Sequence, residues 1–218
     1  MLSRLIGLVI LVMLSPIFLI IMFFSFFFQG LPIFFIQERV GFKFKKFKIY
    51  KFRSMSIKND SSWMKITIKN DKRITSWGKV LRFFKLDELP QLLNVVKGEM
   101  VFVGPRPEIP EYFNAKQYQF LNDLKPGLSD FASILLRNED IVLNQINGLD
   151  PYRELIPLKC ALSNYYLKKK GYFTDIKIIV FTILVIFFPI KINKFFLILR
   201  LKTELPEWSR FIDKYCNK

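Results

Sequence analysis

The chain has 218 residues, and its 34 Lys and Arg against 18 Asp and Glu give a formal net charge of +16. Because 51% of the residues are hydrophobic, the composition excludes a disordered basic tail and allows one domain with an attached membrane segment. The absence of histidine excludes Ser-His-Asp and Cys-His nucleophilic sites and HExxH zinc sites, so a general base must be a carboxylate, Lys, Tyr or water. The two cysteines, Cys160 and Cys216, lack metal-ligand spacing and indicate a reduced, cytosolic setting.

An uncharged segment of 24 residues, Leu5 to Phe28, is long enough to cross a bilayer. It is too long for a signal peptide and lacks a cleavage site, so we expect it to remain as an anchor. Pro16 leaves the carbonyl of Val12 without its helical partner, and the Ser15 hydroxyl is close enough in sequence to bond it. These residues leave open whether the segment is a kinked span or a helix that enters, breaks and returns.

Basic residues follow the anchor closely, and by the positive-inside bias they place the rest of the chain in the cytoplasm. The first of them are Arg39, Lys43, Lys45, Lys46, Lys48, Lys51 and Arg53. Further along, Ile178 to Ile190 is uncharged but too short to span, and Phe195 to Leu199 adds another apolar run. This region predicts either amphipathic helices resting on an anionic leaflet or an ordinary buried helix.

Most of the net charge lies between Arg39 and Lys85, where 15 Lys and Arg stand against 2 acidic residues. The part from Gly41 to Arg53 partly alternates basic and apolar residues, which predicts short strands in a hairpin. Basic and aromatic residues in alternation are also typical of single-stranded nucleic acid binding. Directly after a membrane segment, lipid headgroups or a phosphorylated substrate are the expected partners, and a solvated face beside anionic lipid is the alternative.

Two helical patterns follow the basic block. The first consists of Trp77, Val80, Leu81 and Phe84, and the second of Leu86, Leu89, Leu92, Leu93 and Val96 with Gly98 as its stop. Asp87 and Glu88 therefore lie at the start of the second helix, with Pro90 in its first turn. Such a pair commonly caps a helix and complements its dipole. The alternative is phosphoryl chemistry, in which one carboxylate acts as a nucleophile or holds Mg²⁺ while basic residues neutralise phosphate oxygens.

A rigid turn, Gly104 to Pro107, follows the apolar run Val101 to Val103 and holds Arg106 between two prolines. This guanidinium is either a surface charge or a planar donor fork for phosphate. Four motifs in this order and spacing resemble the bacterial sugar transferases, small monotopic phosphoglycosyl transferases that act on undecaprenyl phosphate. The motifs are Phe47–Met55, Asp71–Thr75, Leu86–Met100 and Val103–Pro107, and the resemblance runs from Ser15-Pro16 to about Val185.

The resemblance implies a reaction in two steps. Asp87 attacks the β-phosphate of a UDP-sugar and releases UMP, and undecaprenyl phosphate then attacks the phosphosugar held on the enzyme. Asp87 and Glu88 are the implied catalytic and Mg²⁺-binding residues, and Glu88 alternatively handles a proton of the incoming phosphate. The implied substrate-binding residues are Lys51, Arg53, Arg82, Pro105, Arg106, Pro107 and Lys125.

The expected fold is α+β, mainly helical with a small β-hairpin, a re-entrant membrane helix broken at Ser15-Pro16, and interfacial amphipathic helices. We expect an anchor at 1–36, a catalytic domain at 37–190 on the cytoplasmic face of the bacterial inner membrane, and an extension of unknown role at 191–218. The expected partners are a UDP-sugar, undecaprenyl phosphate, anionic membrane lipid and downstream glycosyltransferases, with no nucleic acid. The alternative is a non-enzymatic basic protein that binds anionic lipid at the membrane surface. No motif identifies the donor sugar.

Overall fold

The computed structural model describes residues 1–57, 71–187 and 201–216. These residues form an α+β fold that is mainly helical, as predicted, with two small sheets where the sequence predicted a single hairpin. The helices are α1 (Leu2–Met13), α2 (Ser15–Gln29), α3 (Ser76–Phe83), α4 (Leu92–Lys97), α5 (Phe131–Leu135), α6 (Glu139–Leu143), α7 (Pro151–Lys169), α8 (Tyr172–Phe187) and α9 (Ser209–Cys216). The strands are β1 (Phe34–Val40), β2 (Lys46–Phe52), β3 (Val101–Val103) and β4 (Gly127–Ser129).

The uncharged N-terminal segment is broken into two helices. The axes of α1 and α2 meet at 59°, with Leu14 between them and Pro16 in the first turn of α2. The Ser15 hydroxyl donates to the Val12 carbonyl at 2.7 Å, which confirms the bond expected from the sequence. Within the described ranges no single helix has the length and hydropathy of a membrane span, whereas this bent pair has them when its two helices are taken together.

The hairpin begins earlier than the sequence predicted. β1 pairs antiparallel with β2, from Phe34 opposite Phe52 to Val40 opposite Lys46. The residues between the strands form a short 3₁₀-helix, Phe42–Phe44, so the first part of the predicted strand region is a turn. The prediction was wrong there because the first strand lies in the apolar residues at the end of the anchor, outside the basic alternation.

The predicted helix with the Asp-Glu pair is two elements in succession. Residues Leu86–Gln91 form a 3₁₀-helix and α4 continues directly from it. Pro90 has no N–H to donate, which favours the tighter helix at this point. Gly98 ends α4 in the left-handed conformation with φ 78°, as predicted, because glycine adopts positive φ without steric cost.

The main hydrophobic core lies between α5, α7 and α8, and two smaller clusters lie outside it, one of which includes side chains of α2. In one of these clusters Ile21 of α2 packs with Phe52 of β2 and Leu81 of α3. In addition, the Trp77 indole N–H donates to the Ser25 hydroxyl at 2.9 Å. Helix α2 is therefore packed against the rest of the protein.

Helix α8 contains the start of the predicted apolar stretch and has one buried side and one exposed apolar side. Ile178 and Val185 are buried in the main core. The opposite side exposes apolar side chains at helical spacing: Ile176, Ile179, Val180 and Ile183. Residues 188–190 of that stretch, and the run Phe195 to Leu199, lie outside the described residues.

Candidate active site

The Asp-Glu pair faces a cavity of about 710 Å³. Lys85, which precedes the 3₁₀-helix, has φ 56° and turns the chain sharply after α3. This turn places Asp87 and Glu88 beside β2 and beside the Gly104–Pro107 turn, which follows β3. Six of the sequence-predicted site residues line the cavity together: Lys51, Arg82, Asp87, Glu88, Arg106 and Pro107.

Glu88 is held by two cations. Its Oε1 accepts from Lys51 Nζ at 2.9 Å and from Arg106 Nη2 at 2.7 Å, and its Oε2 accepts from Arg106 Nη1 at 3.4 Å. Burial by itself raises the pKa of Glu88, but the charges of Arg106 and Lys51 outweigh it and hold the pKa well below the usual value. Glu88 is therefore a fixed anion that positions a lysine and a guanidinium.

Asp87 has different surroundings. Only 7% of the residue is exposed, and its buried Oδ1 has no hydrogen-bond partner within the described residues. Burial and then the charge of Glu88 raise the pKa of Asp87, while Lys51, Arg82 and Lys85 lower it in part. The residue at the helix N-terminus is Lys85, so the structure gives Asp87 no capping role. A buried carboxylate oxygen without a partner is costly and is available for a ligand or for reaction.

Three of the predicted substrate-binding residues do not line the cavity. The Arg53 guanidinium donates to the carbonyls of Gln29 and Gly30, at the C-terminus of α2. Lys125 Nζ donates to the Gly98 carbonyl at 2.9 Å, at the C-terminus of α4. Both cations satisfy backbone carbonyls that a helix end leaves open. Pro105 also lies outside the cavity lining, although Pro107 belongs to it.

Arg137 is a cavity-lining cation that the sequence analysis did not single out. Its Nη2 donates weakly to the carbonyls of Phe83 and Ile186, each at 3.4 Å, and its buried Nη1 has no hydrogen-bond partner among the described residues. The signal in the sequence is an arginine after the short apolar run of α5. That signal is weak, because only the fold brings residue 137 near residue 87.

Asp130 connects Arg106 to the segment that carries Arg137. Its Oδ2 accepts from the Arg106 backbone N–H at 3.3 Å, and its Oδ1 accepts from the Ser133 N–H at 2.7 Å as part of a capping box on α5. Burial raises the pKa of this carboxyl group. The same side chain thus fixes the turn that carries Arg106 and the start of the helix that leads to Arg137.

The donor set at the dyad fits a magnesium ion that is shared with a substrate. Mg²⁺ in phosphate-handling sites takes one or two carboxylates, and phosphate oxygens and water complete its ligands. The unpartnered Oδ1 of Asp87 is a suitable ligand, and Glu88 is its immediate neighbour. Among the described residues there is no group of three His, Cys, Asp or Glu side chains that would bind a metal without a substrate.

Comparison with known proteins gives consistent matches. Residues 1–189 match the family model described as "Bacterial sugar transferase". Over 159 residues the chain is 36% identical to the "Uncharacterized sugar transferase EpsL" of Bacillus subtilis (strain 168), an alignment that covers 71% of this chain and 69% of that protein.

Two further relatives are named by their reactions. Over 157 residues the chain is 32% identical to the "UDP-N-acetylgalactosamine-undecaprenyl-phosphate N-acetylgalactosaminephosphotransferase" of Aeromonas hydrophila. Over 158 residues it is 34% identical to the "UDP-glucose:undecaprenyl-phosphate glucose-1-phosphate transferase" of Xanthomonas campestris pv. campestris. These alignments cover 70% and 69% of this chain but only 34% and 31% of the two relatives, so the chain spans about a third of their length.

Proposed function

Because the chain belongs to the bacterial sugar transferase family, we propose that it is a phosphoglycosyl transferase that moves a sugar-1-phosphate from a UDP-sugar to undecaprenyl phosphate and releases UMP. The observation that carries the proposal is the buried Asp87, whose Oδ1 has no hydrogen-bond partner among the described residues and which faces a cavity rich in cations. The names of the Aeromonas and Xanthomonas relatives support the acceptor. The two names specify different sugars, and the two relatives are about equally identical to this chain, so the names do not indicate which UDP-sugar this chain uses.

In the first step, a carboxylate oxygen of Asp87 attacks the phosphorus that bears the sugar. The bond from this phosphorus to the bridging oxygen breaks, and UMP leaves with the bonding electron pair. The product is an acyl phosphate that joins Asp87 to the sugar phosphate, a covalent intermediate that divides one difficult displacement into two. In the second step, a phosphate oxygen of undecaprenyl phosphate attacks the same phosphorus, which restores the carboxylate and gives the undecaprenyl-diphosphate sugar.

The cations around Asp87 are suited to the charge that develops on the phosphoryl oxygens. Arg82, Lys85 and Arg137 line the same cavity. Lys51 and Arg106 are held in fixed positions by Glu88. Preorganised cations of this kind commonly supply the largest part of catalysis in phosphoryl transfer. Mg²⁺, held by Asp87 and Glu88, would neutralise part of the diphosphate charge when bound.

We propose that the bent α1–α2 pair enters one leaflet and returns, which puts both of its ends on the side of the catalytic residues. A Cβ on Gly98 would overlap the Arg4 guanidinium, so Arg4 lies over the end of α4. Gly7 is buried, and a Cβ there would lie 3.1 Å from Val95 Cγ1. At the other end of the pair, Gln29 Nε2 donates to the Arg53 carbonyl at 2.9 Å. A plain span would carry Arg4 about 30 Å away from these contacts.

The exposed apolar stripe of α8 supports a further contact with the membrane. Its four side chains recur at positions 176, 179, 180 and 183, the spacing of one helix face. With basic residues on the hairpin, this arrangement favours the cytoplasmic leaflet, whose anionic lipids attract Lys and Arg. The nucleotide sugar is made on this side, and the lipid-linked product would be the acceptor for downstream glycosyltransferases in glycan or polysaccharide assembly.

The test is UMP release from a panel of UDP-sugars by the full chain in lipid nanodiscs with undecaprenyl phosphate and Mg²⁺. We expect UMP with at least one donor, and none from the Asp87→Asn variant. Glu38→Gln is the matched control, because Glu38 forms an exposed ion pair with Lys46 on the hairpin and does not line the cavity. If the folded wild-type protein releases no UMP with any donor, the alternative function as a non-enzymatic protein that binds anionic lipid is favoured.

A further inference from the structure

The cavity has a second group of titratable side chains that the proposed mechanism does not use. We call it the polar end of the cavity, and it consists of Arg39, Glu108, Glu139, Tyr152 and Lys159. This group contains two cations and two carboxylates, so it has no net formal charge. The side of the cavity around Asp87 has a clear excess of Lys and Arg. Phosphate groups are therefore favoured near Asp87, and a neutral, hydrogen-bonding part of the substrate is favoured at the polar end.

Most of the polar end is fixed by its own hydrogen bonds. Glu108 accepts from the Tyr118 hydroxyl at 2.8 Å and from the Tyr152 hydroxyl at 2.9 Å. Arg39 Nη1 lies 3.8 Å from Glu108 Oε1 and donates to the Pro107 carbonyl at 3.2 Å. These bonds satisfy Glu108, which is 3% exposed, and they leave it as a positioning residue.

Glu139 differs from Glu108, because only one of its two carboxylate oxygens is hydrogen-bonded within the described residues. Its Oε1 forms an ion pair with Lys159 Nζ, which also donates to the Tyr152 hydroxyl at 3.1 Å. The second oxygen forms no hydrogen bond to any other described residue. The Glu139 side chain is 29% exposed and lines the cavity. A carboxylate held on one side by a buried lysine thus presents an acceptor oxygen to whatever fills this end.

The aromatic rings at the polar end favour a sugar over the uracil base. A base is held by stacking on an exposed aromatic face. The Tyr152 ring packs edge-to-face against Tyr112 with 4.7 Å between centroids, and Lys159 Nζ lies 4.2 Å from its centroid. The ring of Tyr118, which lines the cavity beside Glu108, packs against Phe113 and Phe120. Both rings are already in contact with neighbours, and both hydroxyl groups already donate to Glu108, so this end offers the Glu139 carboxylate as a hydrogen-bond acceptor rather than a ring face for stacking.

Resting on the function proposed above, we propose that Glu139, held in place by Lys159, is a specificity-determining residue that accepts hydrogen bonds from hydroxyl groups on the sugar of the UDP-sugar donor. Glu139 belongs to the same electrostatic environment as the dyad, since Glu88 first and Glu139 in addition raise the pKa of Arg106. The sugar would therefore occupy the polar end while its phosphate lies at Asp87. A site that hydrogen-bonds a hydroxyl rejects analogues that lack it or present it in another direction.

The experiment compares wild-type protein with Glu139→Gln in nanodiscs. The donors are UDP-glucose, UDP-galactose, UDP-N-acetylglucosamine, UDP-N-acetylgalactosamine and deoxy analogues of whichever of these the wild type prefers. We expect kcat/KM for the preferred donor to fall about tenfold or more, mainly through KM, because a charged hydrogen bond is lost. For the deoxy analogue that lacks the contacted hydroxyl, the same substitution changes kcat/KM by less than about threefold. Inhibition by UMP stays unchanged.

Two outcomes would overturn the proposal. Equal loss for every donor and analogue, with a lower unfolding temperature, would assign Glu139 a structural ion pair only. A weaker inhibition by UMP of the same size as the change in KM would assign the polar end to the nucleoside. If Glu139→Gln does not fold, Glu139→Asp, which keeps the charge but shortens the side chain, provides the same comparison across donors. If the proposed transferase function is itself wrong, the result is different, because the wild-type protein then releases no UMP with any donor.

Discussion

Asp87 and Glu88 are neighbours in the chain, yet their carboxylates have opposite surroundings. Lys51 and Arg106 compensate the charge of Glu88 and keep its pKa low, whereas burial raises the pKa of Asp87, one oxygen of which has no hydrogen-bond partner in the described part of the chain. Two adjacent acids whose pKa values are driven apart are suited to two different tasks. In the proposed mechanism, Asp87 reacts and Glu88 keeps two cations in position.

The unpartnered oxygen of Asp87 makes the covalent step directly testable. Wild-type protein incubated with its UDP-sugar and Mg²⁺, without acceptor, should gain the mass of one sugar phosphate, as measured by intact-protein mass spectrometry. Asp87→Asn should gain none, because an amide is neither anionic nor nucleophilic. Its unfolding temperature should change little, since Oδ1 forms no hydrogen bond with a described residue that the substitution would break. A mass gain of the same size in Asp87→Asn would exclude Asp87 as the nucleophile.

The environment of Asp87 should also set the pH dependence of the proposed reaction. In the proposed mechanism Asp87 attacks as the anion, so kcat/KM should fall as the pH falls through its pKa, which burial and Glu88 raise above the usual value. Lys51 opposes this shift. In Lys51→Met the pKa of Asp87 should rise further, and the acid limb of the kcat/KM profile should move to higher pH. Lys48→Met, an exposed position on the same strand, is the control and should leave the limb in place. A limb that stays in place or moves to lower pH in Lys51→Met would contradict this electrostatic account.

At the residue scale, the sequence motifs identify the dyad and Arg106, but they do not identify what each carboxylate contacts. The partner of Glu88 on β2 is Lys51, which is 37 residues away along the chain. The same limit applies to Arg53 and Lys125, whose motif positions suggest substrate contacts while their side chains bind helix ends. Charge type and spacing are visible in a sequence, whereas pairing depends on the fold.

At the scale of elements, the contact between α1 and α4 is the feature that ties the N-terminal helix pair to the proposed catalytic residues. Gly7 allows the two helices to approach closely, because a Cβ there would already lie 3.1 Å from Val95 Cγ1. Helix α4 in turn continues directly from the 3₁₀-helix that carries the dyad. The position of α1 therefore bears on the position of Asp87.

Gly7→Leu tests this contact. The larger side chain has no room between α1 and α4 and should destabilise the protein by about 1–3 kcal/mol, the usual cost of overpacking. The measurement is thermal unfolding in detergent micelles, together with UMP release. Gly171→Ala is the matched control, because a Cβ at Gly171 would meet no atom within 4 Å, and it should have little effect on either measurement. Equal stability of Gly7→Leu and wild type would show that α1 is not packed on α4.

Some elements are visible in the sequence and others are not. Helix α3 and the stop at Gly98 follow from apolar spacing and a glycine signal. Strand β1 is hidden because its apolar residues read as the end of the anchor. Strand β4 has three residues and pairs in parallel with β3 through long-range contacts, for which a single sequence has no local signal.

At the scale of the whole molecule, both ends of the bent α1–α2 pair contact the part of the chain that contains the cavity. Arg4 lies over Gly98 and Gln29 bonds to Arg53, so α1 and α2 both return to the part of the chain that carries the cavity. The residues around Ser15-Pro16 alone leave both a kinked span and a re-entrant pair open. The difference lies in packing between distant residues, which composition does not encode.

The topology can be measured with Ser3→Cys in a chain whose Cys160 and Cys216 are replaced. The new thiol should be shielded from an impermeant reagent applied to the outer face of the inner membrane. Replacing Ser15 and Pro16 by Ala and Leu removes the kink and the bond to Val12, so the segment should straighten and expose the thiol. Labelling of Ser3→Cys from outside in the otherwise native sequence would establish a span.

The bend of 59° at Leu14 limits how deeply the α1–α2 pair can enter a lipid layer. Helices of 12 and 15 residues are about 18 and 22 Å long, each shorter than the ~30 Å hydrocarbon core of a bilayer. An anchor of this depth needs only one layer of lipid. The protein should therefore insert into a phospholipid monolayer at an air–water or oil–water interface and raise its surface pressure, whereas the straightened Ser15 and Pro16 variant, which needs a second layer, should raise the pressure much less. Equal pressures for the two proteins would show that the bend does not set the depth of insertion.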